Sequence, residues 1–473
     1  MPETNNLNAP PAVEKRLVSV SMPVEDVEPG ALLRLGAGGP RGFWAREGRW
    51  FAHIGTAATI QAGASDEVSR RFSEIWKSAR TTLSCSWKDP ESQVLPPSPR
   101  LFGGFSFNPT HVADGVWEGF PAACFILPEL ELIGGEQRGI LTLRRHHEPS
   151  ANPARCRQEL RDELASVRDR LIQKPAEPGR PDLCIPATRN ESDPETWKAF
   201  VDRALEEISE GELSKVVLAR VLTATLEGSI DPVDVALNLW RGNPNSHVFM
   251  FEPSPDNVLV GAAPETIATV AGGVFKATAV AGSIARGSSS DEQASLAREL
   301  LRSEKDRREQ KVCVDDMVAR LSEVSDEIDA KDEPHVLTLS AIQHLETPIT
   351  ATLRPGETVI SALEALHPTS ATCGFPREQA LGFLRGEEPF HRGWYAGPVG
   401  WFDNDGNGVF VPALRSAVGR GKEWRLFAGA GIVDGSDSSK EWAETSIKFQ
   451  PVLKALSRAG GGSSSKDGED VAP

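Results

Sequence analysis

The tightest limit on how this chain can fold is the shortness of the links between its strand-like runs. Val258–Ala262, Thr266–Val270 and Val274–Val280 are separated by three residues at each step. Tyr395–Phe402, Gly408–Val418 and Trp424–Ile432 are separated by five. A parallel pair needs a crossover of roughly a dozen residues or more, so links this short make neighbouring strands antiparallel. Helical patterns collect at 233–241, 291–323, 361–366, 376–385 and 437–457 and do not alternate strictly with the strands. The expected class is α+β, with large, mostly antiparallel sheets flanked by helices.

The first third of the chain carries the same signature more weakly. Ala31–Leu35, Trp50–Ile54, Leu101–Phe107, Cys124–Leu132 and Gly139–Leu143 are short apolar runs broken by glycine and proline, which predicts a strand-rich region. Gly36–Gly42 lacks the Gly-Lys-Ser/Thr ending of a phosphate loop and reads as a turn. His146-His147-Glu148 places adjacent side chains on opposite faces of a strand, which suits solvent better than a metal. Leu160, Leu164, Val167 and Leu171 predict a helix over 151–172, and the proline-rich stretch 174–186 is the natural internal boundary. The chain therefore divides into a disordered N-terminus (1–15), an N-terminal part (16–186), a second region (187–458) and a disordered tail (459–473). Asp403–Gly408 opens like a calcium loop, but its twelfth position is Leu414 and its flanks are strands, so it reads as a hairpin turn.

Charge narrows the partners. Lys plus Arg number 51 against 67 Asp plus Glu, a net charge of −16 over 473 residues. Non-specific binding to nucleic acid or to an anionic membrane needs a basic footprint that this chain lacks. Six widely spaced cysteines with no C-x-x-C pair argue against a zinc knuckle and a disulfide framework. There is no secretory leader pattern, and no apolar run reaches the ~18 residues of a membrane span. The expectation is a reduced, soluble, cytoplasmic protein.

The chemistry centres on Ser303–Leu321. Val312, Cys313, Met317 and Leu321 recur at helical spacing, and one turn earlier the same stripe carries Glu309. A carboxylate on an inward face must be paired, hydrogen-bonded or bound to a cation. An ion pair at the rim of the stripe is the plainer alternative. A second helical stretch puts Glu441, Glu444 and Lys448 on one face, where a solvated Glu444–Lys448 pair is again the plainer reading. Before it, Ala428–Ser436 holds three glycines in what reads as a strand-to-helix connection able to bring backbone N–H groups close to an anion. Glu309, Glu441 and Glu444 together would form an all-oxygen site suited to Mg²⁺. Lys215, Glu265, His344 and Arg415 stand at the borders of apolar strands. With a cation they suffice to bind a dicarboxylate and move protons on it.

Taken in order, the motifs are Lys215-Val-Val-Leu-Ala-Arg220, Ala263-Pro-Glu265, Ala281-Gly-Ser283, Ser303-Glu-Lys-Asp-Arg-Arg-Glu309, Gln343-His-Leu-Glu-Thr347, Leu366-His-Pro-Thr369, Arg392–Trp401, Leu414-Arg-Ser-Ala417 and Ala428–Ser436. This ordered set resembles the chorismate-utilising enzymes, and among them the isochorismate synthases, over about 195–457; residues before about 100 match little. The resemblance implies one α+β unit with the site between large antiparallel sheets. It implies a Mg²⁺-dependent isomerase that turns chorismate into isochorismate for menaquinone or siderophore synthesis, acting as a monomer or weak homo-oligomer. By the same resemblance Lys215 activates water for attack at ring carbon 2, and Glu265 protonates the hydroxyl leaving carbon 4. Glu309 and Glu444 hold the metal with Glu441 beside them. Arg415 grips the pyruvyl carboxylate, assisted by backbone N–H groups near Gly429 and Gly431. Gly282, Ser283, His344, Tyr395, Leu414 and Lys448 line the pocket. The ammonia-using relatives carry glutamine in place of Lys215, or a lysine in place of Ala281. A salicylate synthase, which also eliminates pyruvate, shares Lys215 and Glu265 and stands as the alternative, as do, more distantly, an ammonia-using anthranilate-type synthase and a non-catalytic chorismate-binding relative. A lysine that serves as base is expected to have a lowered pKa and a glutamate that serves as acid a raised one.

Overall fold

A computed structural model of the protein describes residues 16–172 and 187–459, apart from 68, 84–85, 89–93, 95, 136–137, 149 and 340–341. The expected boundary at 174–186, the end 1–15 and nearly all of the tail lie outside the described residues, as do Cys85 and Cys184. The other four cysteines are buried free thiols. Among the described residues the ladders join 21 strands into one continuous network with ten α-helices packed on it. The pairings are antiparallel except for Arg16–Val24 with Ser86–Lys88. No helix among these residues is long and apolar enough to cross a membrane.

Seven strands and two helices carry the site: β1 (Lys215–Thr225), β2 (Asn257–Ala263), β3 (Val274–Ala285), β4 (Ile342–Leu353), β5 (Gly408–Pro412), β6 (Ser416–Arg420), β7 (Glu423–Ile432), α1 (Glu304–Leu321) and α2 (Ser438–Ala459). β1 is buried along ten successive residues, the pattern of a strand covered on both faces. It pairs with β7 in a register that sets Val217 opposite Gly431 and Ala219 opposite Gly429. β7 in turn pairs with β6 only as far as Phe427–Ser416. Residues 428–432 therefore have β1 on one side and an open edge on the other. β3 pairs antiparallel with β4, with a register shift at Gly282, and is joined to β5 through Ala268–Ala271.

The N-terminal strands are built into this network. Arg41–Arg46 pairs with His247–Ser254, which also pairs with β2, and Arg100–Phe105 pairs with Pro398–Asp403. Two local expectations are corrected here. Ala31–Leu35 lies in a helix, Pro29–Leu35, entered through a proline at its first turn and closed at Gly36. Arg70–Leu83 is a further helix with Phe72, Ile75, Ala79 and Leu83 buried, inside the region read as strand-rich. The stretch 291–323 is two helices, Ser290–Arg302 and α1, because Ser303 leaves helical geometry and its hydroxyl accepts from the Asp306 N–H. Asp403–Gly408 is a hairpin turn in which the Asp403 carboxylate accepts from the Asp405 and Asn407 N–H groups.

Candidate active site

Glu309 is buried, on the same face of α1 as Cys313, Met317 and Leu321. Its Oε1 lies 3.0 Å from the Nζ of Lys215, the first residue of β1. The plainer alternative, an ion pair, is therefore present, but it joins two groups exposed by 10% and 1% rather than a rim pair with an arginine. Lys215 also donates to the Cys313 Sγ at 3.2 Å, so one turn of α1 grips the ammonium from two positions. Burial alone would lower the Lys215 pKa, but the Cys313 sulfur and the Glu309 carboxylate outweigh it and hold it above the ordinary lysine range. This reverses the expected direction: paired with Glu309, Lys215 is held as an ammonium. Burial pushes the Cys313 thiol up, against the opposing pull of Lys215.

Gly431 makes this meeting possible. A Cβ there would collide with Glu309 Oε1 and lie 3.1 Å from the Lys215 Cε. Gly429 and Gly431 belong to β7 itself, and of the three glycines only Gly435 lies in the connection to α2, which corrects the expected loop. The Gly429 carbonyl accepts from Lys448 Nζ at 2.8 Å, tying α2 to the open edge of β7. Lys448 also pairs with Glu444 at 2.6 Å. Glu441, at 3% side-chain exposure, pairs with Lys305 of α1 at 2.6 Å. Burial and the neighbouring Glu444 push the Glu441 carboxyl above its ordinary pKa.

Across the pocket, Arg415 breaks the expected continuous strand Gly408–Val418 into β5 and β6 with φ +47°, a left-handed conformation that is rare for a long side chain. Its guanidinium donates to His344 Nε2 at 2.9 Å. Arginine has no acceptor atom, so the proton of the neutral imidazole is on Nδ1, which faces the Gly282 carbonyl at 3.1 Å and Ser283 Oγ at 2.9 Å. Burial, with Arg415 and Lys448 adding to it, depresses the His344 pKa far below its usual value. The bulge at Gly282 (φ +68°) turns Ser283 towards His344, and a Cβ at Gly282 would press on Asp306. His344 stands near the start of β4 rather than at its end.

Glu265 follows β2 just past Ala263-Pro264 and is buried. Burial raises its pKa to about 7, against the opposing pull of Lys215, Lys448 and Arg415. Tyr395, the sole tyrosine of the chain, stacks on Phe427 with ring centres 5.0 Å apart.

One pocket is lined by Glu265, Gly282, Ser283, Glu309, His344, Tyr395, Leu414, Arg415, Gly429, Gly431, Glu444 and Lys448, which are twelve of the fourteen residues expected from the sequence. Lys215 lies behind Glu309 and Glu441 beside Lys305, both outside the pocket lining. The sequence reading missed Cys313 and Lys305 as partners of the charged groups. Their positions four residues after and four before Glu309 put them on its face of α1, which was the available signal.

The cation expectation can be tested against this geometry. Among the described residues no three His, Cys, Asp or Glu side chains converge closely enough to hold a metal as they stand. Each expected carboxylate is instead matched by an ammonium at 2.6–3.0 Å. Three carboxylates from two facing helices, each already satisfied by a positive charge, suit a hard, oxygen-preferring cation in chemistry.

Residues 6–457 match the family model described as chorismate binding enzyme. The chain belongs to the chorismate binding enzymes. The match begins well before the portion that the sequence motifs alone connect to the family. Within the family, isochorismate synthase MenF of Bacillus subtilis is 31% identical over 446 residues, covering 93% of each chain. The salicylate biosynthesis isochorismate synthase of Pseudomonas aeruginosa is 34% identical over 425 residues, covering 89% of this chain and 85% of its own. The structure of the menaquinone-specific isochorismate synthase MenF of Escherichia coli superposes with a TM-score of 0.76 at 24% identity, covering 94% of this chain and 95% of that one. Anthranilate synthase component I of Streptococcus pneumoniae does so with a TM-score of 0.69 at 20% identity. The α+β fold, with its large antiparallel sheet, is thus the fold of chorismate binding enzymes.

Proposed function

We propose that this chain is an isochorismate synthase, an isomerase that adds water at carbon 2 of chorismate and releases the carbon 4 hydroxyl as water. The observation that carries the reading is Glu265: a buried carboxyl with a pKa of about 7, in the same pocket as Arg415, whose guanidinium is oriented by a neutral histidine. A hydroxyl is a poor leaving group, and an acid protonated near neutral pH supplies what it lacks. Arg415 is the carboxylate grip, with His344 as its positioning residue. Lys215 is the base for water. Its ammonium is held by Glu309, so base action requires that pairing to open first. Glu309 and Glu444, with Glu441 beside them, would hold Mg²⁺; the bound ion would supply positive charge against a substrate carboxylate. Ala281 lines the pocket where the lysine of one ammonia-branch relative would stand, and Lys215 replaces the glutamine of the other.

Incubation of the purified protein with chorismate and Mg²⁺, with products identified by mass, tests the reading. Isochorismate alone is expected, and none in excess EDTA. Salicylate with pyruvate would assign the salicylate branch, and a product formed only with ammonium salts would remove Lys215 from its role. Full turnover in EDTA would remove the cation.

A further inference from the structure

The three lysine–carboxylate pairs of the site are not equivalent. Lys215 is 1% exposed and has Cys313 as a second anchor. Lys448 is 16% exposed and has the Gly429 carbonyl as a second anchor. Lys305, in the first turn of α1, is 34% exposed, and its hydrogen bond goes to Glu441 alone among the described residues. Its ammonium reaches a carboxylate that is itself almost fully buried. It also lies near enough to feel Glu309 and Asp306.

Three carboxylates cannot share one site without compensating positive charge, because buried like charges repel strongly. Something must neutralise Glu441 before a cation arrives. A lysine with one anchor and a third of its side chain in solvent can swing out at small cost, since a long flexible stem carries its charge back to water. Lys215 and Lys448 would each have to give up two contacts. Resting on the reading that Glu309, Glu441 and Glu444 form a divalent-cation site, we infer that Lys305 is the internal counter-ion this cation displaces. Cation binding is then an exchange of one positive group for another. The affinity of the substrate-free protein for the cation is held down by Lys305.

The test is Mn²⁺ binding, followed by electron paramagnetic resonance and calorimetry, on the full chain without substrate. Lys305→Met should bind Mn²⁺ roughly tenfold or more tightly than the wild type, the scale of one removed charge in a partly buried site. Lys305→Arg, which keeps the charge, should stay within about threefold of the wild type. Thermal melts verify that both variants are folded, and Lys305→Gln is read in the same way should Lys305→Met fail to melt cooperatively. Equal or weaker binding in the neutral variants overturns this inference alone. Tightening of the same size in Lys305→Arg also overturns it, because charge would then not be the cause. Mn²⁺ binding absent from every protein, with and without chorismate, overturns both this inference and the cation reading beneath it.

Discussion

Glu265 shows how one residue's surroundings set its chemistry. A carboxyl in water titrates near 4.5, whereas burial past Pro264 brings Glu265 to about 7. Its acid role needs the proton in place, so kcat/KM of the free enzyme is expected to fall as pH rises through about 7. Glu265→Gln keeps size and a hydrogen-bond donor but delivers no proton. A fall in kcat of ~10²–10⁴-fold with little change in KM is expected. The same shift has a stability sign. The folded state holds this proton more tightly than the unfolded chain does, so its stabilising contribution is complete below 4.5 and is lost as pH rises through about 7. Glu265→Gln should therefore melt higher than the wild type at pH 8, by an amount on the order of 1–3 kcal/mol, and show little difference at pH 4. Wild-type turnover by Glu265→Gln, or a variant less stable at pH 8, would leave Glu265 a structural residue.

Among the elements, α2 matters most, because it brings Glu441, Glu444 and Lys448 to the open edge of β7. What fixes it is Arg220, a buried residue of β1. Its guanidinium donates to the Trp442 carbonyl at 3.0 Å and the Thr445 hydroxyl at 2.6 Å, and to Asn190 Oδ1 at 3.0 Å, while lying over the Trp442 indole. Thr445 and Glu444 are adjacent, so this clamp and the site share one turn of helix. Arg220→Met keeps much of the volume and removes the donors. A loss of about 2–4 kcal/mol is expected from the buried acceptors it strands. A rise in the KM for chorismate should accompany it as Lys448 and Glu444 lose their place. A melting temperature and KM both unchanged would show that packing alone seats α2.

At the scale of the molecule, the N-terminal third is part of the sheet that holds the site. His247–Ser254 lies between β2, which leads to Glu265, and the N-terminal strand Arg41–Arg46; Arg100–Phe105 pairs along Pro398–Asp403 beside β5. Removing residues 1–186 would strip two ladders of their partners and expose Phe249 and Phe251, which would lose their neighbours Trp44 and Phe102. The fragment 187–473 is expected to be insoluble, or to lack a cooperative melt in circular dichroism. A cooperative melt and chorismate turnover by that fragment would make the N-terminal part dispensable.

Much of this was legible in the chain itself. Short links gave antiparallel pairs between Ala268–Ala271 and β3, Pro398–Asp403 and β5, and β6 and β7, but the three residues after β2 carry the chain to a different ladder, a choice only the tertiary structure makes. Helical spacing alone put Glu309 on the face of Cys313 and Met317. The helices Pro29–Leu35 and Arg70–Leu83 went unread for different reasons. Seven residues are too few for Pro29–Leu35 to show a helical period, whereas Phe72, Ile75, Ala79 and Leu83 stand at helical spacing, a signal the chain did carry. Nor could one dimension show that Gly431 is a glycine because Glu309 and Lys215 need its missing Cβ. The charge states were decided in three dimensions too. A pKa depends on which groups lie within a few ångströms after folding, so burial raises Glu265 while Glu309 and Cys313 keep the proton on Lys215.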